Sequence, residues 1–179
     1  NQGSVEKDLL EKYGHPTPEA LVESALRNVG LLEEFGFDQI IVSLKASDPK
    51  DTIDAYSMFS ERSDYPLHLG VTEAGPVFTG TIRSAVAMGT LLYRGIGDTL
   101  RVSLTGDVVD EIKVGWEILK SLGLRVKGPT LISCPTCGRI EVDLINLVKD
   151  IEKAIETVQK PVKISVMGCV VNGPGEAKE

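Results

Sequence analysis

All three cysteines of the chain stand in its last third, in two glycine-rich stretches. Cys134-Pro135-Thr136-Cys137-Gly138-Arg139 is a C-x-x-C motif. Cys169 follows a mostly apolar run, Val162 to Met167, and precedes Val170-Val171-Asn172-Gly173-Pro174-Gly175-Glu176. C-x-x-C spacing lets two sulfurs reach one metal or cluster, and a strand end elsewhere can supply a third thiolate. Gly138, Gly168, Gly173 and Gly175 bring backbone N–H groups close to whatever is bound. A structural zinc ion wants four soft ligands, yet there is no second C-x-x-C or His pair, and neither His15 nor His68 stands near the cysteines in sequence. A dithiol redox pair uses Cys134 and Cys137 and leaves Cys169 without a role. An iron–sulfur cluster with three thiolates and one other ligand uses every cysteine. Three unrelated buried cysteines would make the pairing with glycine-rich loops a coincidence.

A second set of polar residues falls where apolar segments end. Lys45-Ala46-Ser47-Asp48 follows one such segment, Thr72-Glu73-Ala74-Gly75 another, and Arg101 and Ser103 lie within a third. In parallel α/β folds ligands bind at strand C-termini, so these side chains are candidates for one pocket. Each is otherwise a solvated strand-end residue or half of a structural ion pair. A lysine there permits Schiff-base chemistry. It equally permits a phosphate contact, with Arg101 offering bidentate geometry and Ser103 and Asn1 donating hydrogen bonds. His68 is a core-filling side chain or a pocket donor, and His15 is structural.

The elements that must position these residues alternate. Ser4 is expected to cap a short helix running through Tyr13 to a stop at Gly14. Thr17-Pro18 starts a helix whose stripe is Val22, Ala25, Leu26, Val29 and Leu32, and Gly36 ends it. Phe37 to Leu44 reads as a strand buried on both faces. A helix follows from Pro49 to Arg62, with Ile53, Tyr56, Met58 and Phe59 as its apolar side. Leu67 to Thr72 is a strand, Thr79 to Tyr93 a helix, and Thr99 to Leu104 a strand. Val108 to Leu122 is a helix turning Ile112, Trp116 and Leu119 inward. Strand and helix recur at roughly 30 residues, the signature of βα units around a parallel sheet. The pattern alone leaves a doubly wound sheet and a TIM barrel both open. After Gly123 the register changes. Residues 125–129 read as a linker, Thr130 to Ser133 leads into Cys134, Val142 to Val158 is an amphipathic helix, and a strand from Pro161 ends at Cys169.

The 179 residues are 42% hydrophobic, enough for a core, and no apolar run has the length of a membrane span. An odd cysteine count argues against a disulfide framework and for a reducing compartment, here the cytoplasm. A net charge of −7 excludes a general nucleic-acid surface, but not an anionic small substrate met by a few focused cations.

The motifs S-C-P-T-C-G-R and M-G-C-V-V-N-G-P-G-E-A resemble the cluster domain of the 4-hydroxy-3-methylbut-2-en-1-yl diphosphate synthase family, iron–sulfur enzymes of the methylerythritol phosphate route to isoprenoids. The resemblance continues through N-x-G-S, V-S-x-K-A-S-D, L-H-L-G-V-T-E-A-G and G-D-T-L-R-V-S-L, nearly the whole chain. It implies that residues 1–124 are the C-terminal part of a TIM barrel and residues 125–179 a small, truncated α/β cluster domain, the chain being a fragment that lacks front barrel strands. It implies a [4Fe–4S] cluster on Cys134, Cys137, Cys169 and Glu176, and a cyclic diphosphate gripped by Asn1, Lys45, Arg101 and Ser103. Glu73 matches the T-E-A-G glutamate, an acid/base near the reacting hydroxyl. The implied reaction is the two-electron reductive opening of 2-C-methyl-D-erythritol 2,4-cyclodiphosphate, with electrons from ferredoxin or flavodoxin. A homodimer is implied as well, the cluster domain of one subunit closing over the barrel of another. A non-catalytic iron–sulfur or zinc module on an α/β barrel and a Lys45 Schiff-base lyase are the alternatives.

Overall fold

The computed structural model describes residues 1–171 and Gly173. Chain contacts divide it into two units, Asn1–Arg125 and Val126–Glu179.

In the first unit local capping chemistry sets the helices. α1 (Lys7–Tyr13) ends at Gly14, whose φ of 78° is the left-handed turn a side chain would resist. α2 (Pro18–Glu34) begins where the Thr17 side chain accepts from Ala20 N–H, with Pro18 at the first helical position. α3 (Pro49–Ser60) and α5 (Val108–Ser121) are capped in the same way by Asp48 and Asp107. α4 (Val77–Tyr93) starts two residues earlier than its small-residue pattern predicts. Ser4 does not cap α1. It lies in a 3₁₀ turn, Gln2–Ser4, and its hydroxyl donates to Asn1 O at 2.9 Å, while Glu6 occupies the cap position.

Three extended segments run parallel in chain order. β1 (His68–Leu69) pairs with β2 (Thr99–Leu100), and Val42 bridges Leu67 on the other side. Further bonds lengthen the ladder: Thr72 N–H to Ala46 O, Arg101 N–H to Leu69 O and Thr105 N–H to Gly75 O. The expected strand from Phe37 to Leu44 is reduced to a single bridge at Val42, and the segment is buried on one face only. Ile40, Val42 and Leu44 are buried, whereas Ile41 is 62% exposed and Ser43 is exposed. Helices cover one side of this sheet, where Leu44, Leu67, Leu69 and Val102 meet Val22, Tyr56, Phe59, Met88 and Leu91 in one core. Two stripe residues also depart from expectation. Leu32 is 40% exposed, and Ile112 lies with Trp116 and Leu119 along a groove of about 510 Å³ beside β2, leaving Ile118 as the buried anchor of α5.

The second unit has a two-stranded parallel sheet, β3 (Thr130–Ser133) with β4 (Lys163–Val166), joined through α6 (Leu144–Ile155). α6 is shorter at both ends than its amphipathic pattern, and Leu144 of α6 and Val166 of β4 are the unit's buried large apolar side chains among the described residues. No helix among the described residues is long and apolar enough to cross a membrane.

Candidate functional site

Alternation along the three parallel segments sorts their side chains. Leu44, Leu69 and Val102 go to the helices; Ser43, Lys45, His68, Thr99, Arg101 and Ser103 occupy the alternate positions, exposed or half-buried. Lys45 does not extend into solvent. It lies across Gly70, where an added Cβ would sit 2.9 Å from Lys45 Cε, 3.3 Å from its Nζ and 2.9 Å from Arg101 O. Glycine at this position is therefore what lets the lysine lie across the sheet toward Arg101. Burial, and then the neighbouring Arg101 charge, lowers the Lys45 pKa below the usual lysine value. His68 is lowered too, by burial first and then by the charges of Lys45 and Arg101, so it is neutral at pH 7. Its Nδ1 is paired with Thr99 Oγ1 at 2.8 Å, and its carbonyl accepts from the hydroxyls of Ser43 and Tyr56. These two cations and a neutral imidazole form an anion-attracting surface.

Asn1 and Glu73 flank it. Gln2 N–H donates to Lys45 O at 3.0 Å, which ties the Asn1 turn to the same segment. Glu73 follows β1 with φ 54°, a left-handed conformation in which it is alone among the described non-glycine residues. Its carboxylate is exposed, at the strand C-terminal end where parallel sheets bind ligands.

In the second unit the C-x-x-C loop and the Met167–Val171 stretch lie side by side. Cys134 N–H continues the ladder to Val166 O at 3.2 Å, Glu141 N–H donates to Gly168 O at 2.9 Å, and Ile140 N–H closes a turn on Cys137 O. Gly168 N–H donates to Cys134 Sγ at 3.2 Å, the kind of contact that stabilises a thiolate ligand. A Cβ at Gly168 would stand 3.3 Å from Leu144 and 3.6 Å from that sulfur. All three cysteines are free of disulfides. The backbone N–H and then the side chain of Arg139 hold the exposed Cys137 thiol below its usual range. Cys134 and Cys169 thus follow the C-terminal ends of adjacent parallel strands, with Cys137 one turn further on. Among the described residues no three Cys, His, Asp or Glu side chains gather tightly enough for a single metal ion. A cluster, several ångströms across, takes its thiolates further apart, and three soft sulfurs with backbone N–H support are a donor set that fits it. Glu176 lies outside the described residues.

A family model described as the GcpE TIM-barrel domain matches residues 1–116, and one described as the GcpE protein C-terminal domain matches residues 130–179. The chain belongs to the GcpE family. It is 62% identical over 179 residues to the "4-hydroxy-3-methylbut-2-en-1-yl diphosphate synthase (flavodoxin)" of Geobacter sulfurreducens, covering all of this chain and 51% of that protein. Proteins of the same name from Lawsonia intracellularis and Caldanaerobacter subterraneus subsp. tengcongensis are 60% and 59% identical, again over the whole chain and 50% of each relative. The chain thus spans about half the length of the curated relatives it matches.

The structure of this GcpE-family chain also brings in residues that sequence reasoning passed over. Gly70 was legible in principle, as a glycine alternating with His68 and Thr72 on the pocket face. Gln2 and Arg83 were not, because their partners, Ser47, Glu73 and Ala74, are distant in sequence or are backbone carbonyls.

Proposed function

We propose that the chain is the diphosphate-gripping and cluster-bearing half of a 4-hydroxy-3-methylbut-2-en-1-yl diphosphate synthase. Its reaction would be the reductive opening and dehydroxylation of 2-C-methyl-D-erythritol 2,4-cyclodiphosphate to 4-hydroxy-3-methylbut-2-enyl diphosphate. The carrying observation is that Lys45 crosses Gly70 toward Arg101 while Glu73 stands at the end of the strand between them. Membership of the GcpE family and three free thiols at parallel strand ends support the same reading. Residues 1–124 form part of a TIM barrel and residues 125–179 the cluster domain in this proposal. The enzyme works in the cytoplasm as a homodimer.

Lys45 and Arg101 neutralise the diphosphate, the guanidinium by paired N–H donors and the ammonium as a point charge. Ser103 and Asn1 add neutral hydrogen bonds that orient it. His68, uncharged, offers a ring edge without adding a third cation. The net change takes up two electrons and two protons, breaks the ring C–O bond and a C–OH bond, and releases water. Glu73 delivers a proton to the departing hydroxyl and is recharged from solvent through its exposed carboxyl. Bound by Cys134, Cys137, Cys169 and Glu176, a [4Fe–4S] cluster supplies electrons one at a time and a Lewis-acidic iron. The electron donor is ferredoxin or flavodoxin, and the flavodoxin in the relatives' names favours the second.

Anaerobic turnover with the cyclic diphosphate and reduced flavodoxin tests this, with products followed by phosphorus NMR. Conversion to the linear allylic diphosphate is expected. Trapping of substrate on Lys45 by borohydride, with no reductant requirement, would show a Schiff-base lyase instead.

A further inference from the structure

The loop that carries Glu73 is held from three sides. Thr72 N–H donates to Ala46 O at 3.0 Å, Thr105 N–H donates to Gly75 O at 2.9 Å, and Arg83 Nη1 reaches back from α4 to Ala74 O at 3.1 Å. These bonds maintain the left-handed backbone of Glu73 against its ordinary preference. With the main chain so fixed, the remaining freedom of this exposed carboxylate is in its side-chain torsions. One side chain reaches it among the described contacts. Gln2 Nε2 donates to Glu73 Oε2 at 3.5 Å, the long end of hydrogen-bonding range, and to Ser47 Oγ at 3.1 Å. Gln2 is itself anchored: its Oε1 accepts from Ser47 N–H at 3.2 Å, and its own N–H donates to Lys45 O. The carboxamide therefore spans from the lysine-bearing segment to the glutamate, with its donor end turned to the carboxylate.

We propose that Gln2 is a positioning residue for Glu73, holding the carboxylate toward the surface formed by Lys45 and Arg101. This rests on the reading of Glu73 as the group that transfers a proton. The contacts of Gln2 are to Ser47, Glu73 and the Lys45 carbonyl, so it acts through Glu73. Its effect belongs to the chemical step, because it narrows the orientations from which Glu73 can reach the departing hydroxyl.

The test is a double-mutant cycle in the cluster-loaded holoenzyme, with kcat and KM measured for the cyclic diphosphate and iron content checked for each variant. Gln2→Glu keeps the length and the oxygen that accepts from Ser47, but turns an acceptor toward Glu73 in place of a donor. It is expected to lower kcat about tenfold, with KM changed less than about twofold and iron unchanged. Gln2→Ala, which only removes the contact, is expected to lower kcat about threefold. In the Glu73→Gln background neither change at position 2 should cost further rate, because the group they act through is gone. Full additivity of the two losses, or a loss confined to KM, would overturn the role of Gln2 while leaving Glu73 in place. An unchanged kcat in Glu73→Gln alone would overturn both.

Discussion

Lys45 carries the most information of any single side chain, because its position over Gly70 is a consequence of what the glycine lacks. Gly70→Ala places a methyl group 2.9 Å from both Lys45 Cε and Arg101 O, closer than packed atoms tolerate. The lysine end can swing aside, but the Arg101 carbonyl is backbone and yields only if its segment shifts, so the substitution displaces both cations. We expect Gly70→Ala, Lys45→Ala and Arg101→Ala all to raise KM for the cyclic diphosphate about tenfold or more, with iron content unchanged. Lys45→Arg keeps the charge and loses less, whereas a Schiff-base enzyme would lose all activity. The pH dependence follows from the same crowding. Anion binding favours protonated Lys45, whose pKa is lowered from 10.5 by burial and then by Arg101. Affinity for the diphosphate should therefore fall on the alkaline side earlier than an ordinary lysine would allow, as titration calorimetry across that range would show. Glu73→Gln is expected to slow the chemical step by ~10²-fold or more while the visible spectrum of the cluster stays as it is. Unchanged single-turnover rates would remove Glu73 from the proton pathway.

At the scale of elements, what could be read from the chain depended on whether the cause was local. The starts of α2, α3 and α5 were legible because Thr17, Asp48 and Asp107 cap the helices that follow them within three residues. Ser4 misled for the same kind of reason: a hydroxyl near a helix start looks like a cap, but it bonds backward to Asn1. Strand limits depend on partners far along the chain, so the ladders extend or stop where Ala46, Leu69 and Gly75 offer carbonyls. The burial of Phe37 to Leu44 on one face was hidden because an apolar run does not say which side helices will cover. The site followed this division. Lys45 and Glu73 were legible where apolar segments end and Arg101 within one, whereas Gln2 and Arg83 have no local signal. One element junction makes its own prediction. Lys12, Tyr13 and Arg27 hold Glu23 between α1 and α2 at 2.7–2.8 Å, and these hydrogen bonds, that of Lys12 the largest, bring its carboxyl down to about 2 from 4.5. A lowered carboxyl stabilises the fold above its unfolded value and loses that contribution as the pH falls toward the folded one. Glu23→Gln should thus lower Tm by a few degrees at most at pH 7, the pair being exposed, with the gap from the parent narrowing below about pH 4.5.

For the molecule as a whole, two units meet different demands. The first unit places cations and a carboxylate along one end of a parallel sheet. The second holds three thiols beside two parallel strands with little buried surface of its own among the described residues, so a bound cluster would contribute to its folding as well as to its chemistry. Loss of any one of Cys134, Cys137 or Cys169 to serine should therefore remove most of the iron and lower the thermal stability of the holoprotein. Glu176→Ala should keep iron on the three thiolates less firmly, and Glu176→Cys should keep it firmly but turn over poorly, because a thiolate exchanges less readily than a carboxylate. These three cysteines are expected to hold iron and sulfide, which metal analysis of anaerobically prepared holoprotein would show. About four irons per chain, with matching sulfide and broad visible charge-transfer absorption, is the expected result. Stoichiometric zinc in a colourless protein would contradict it.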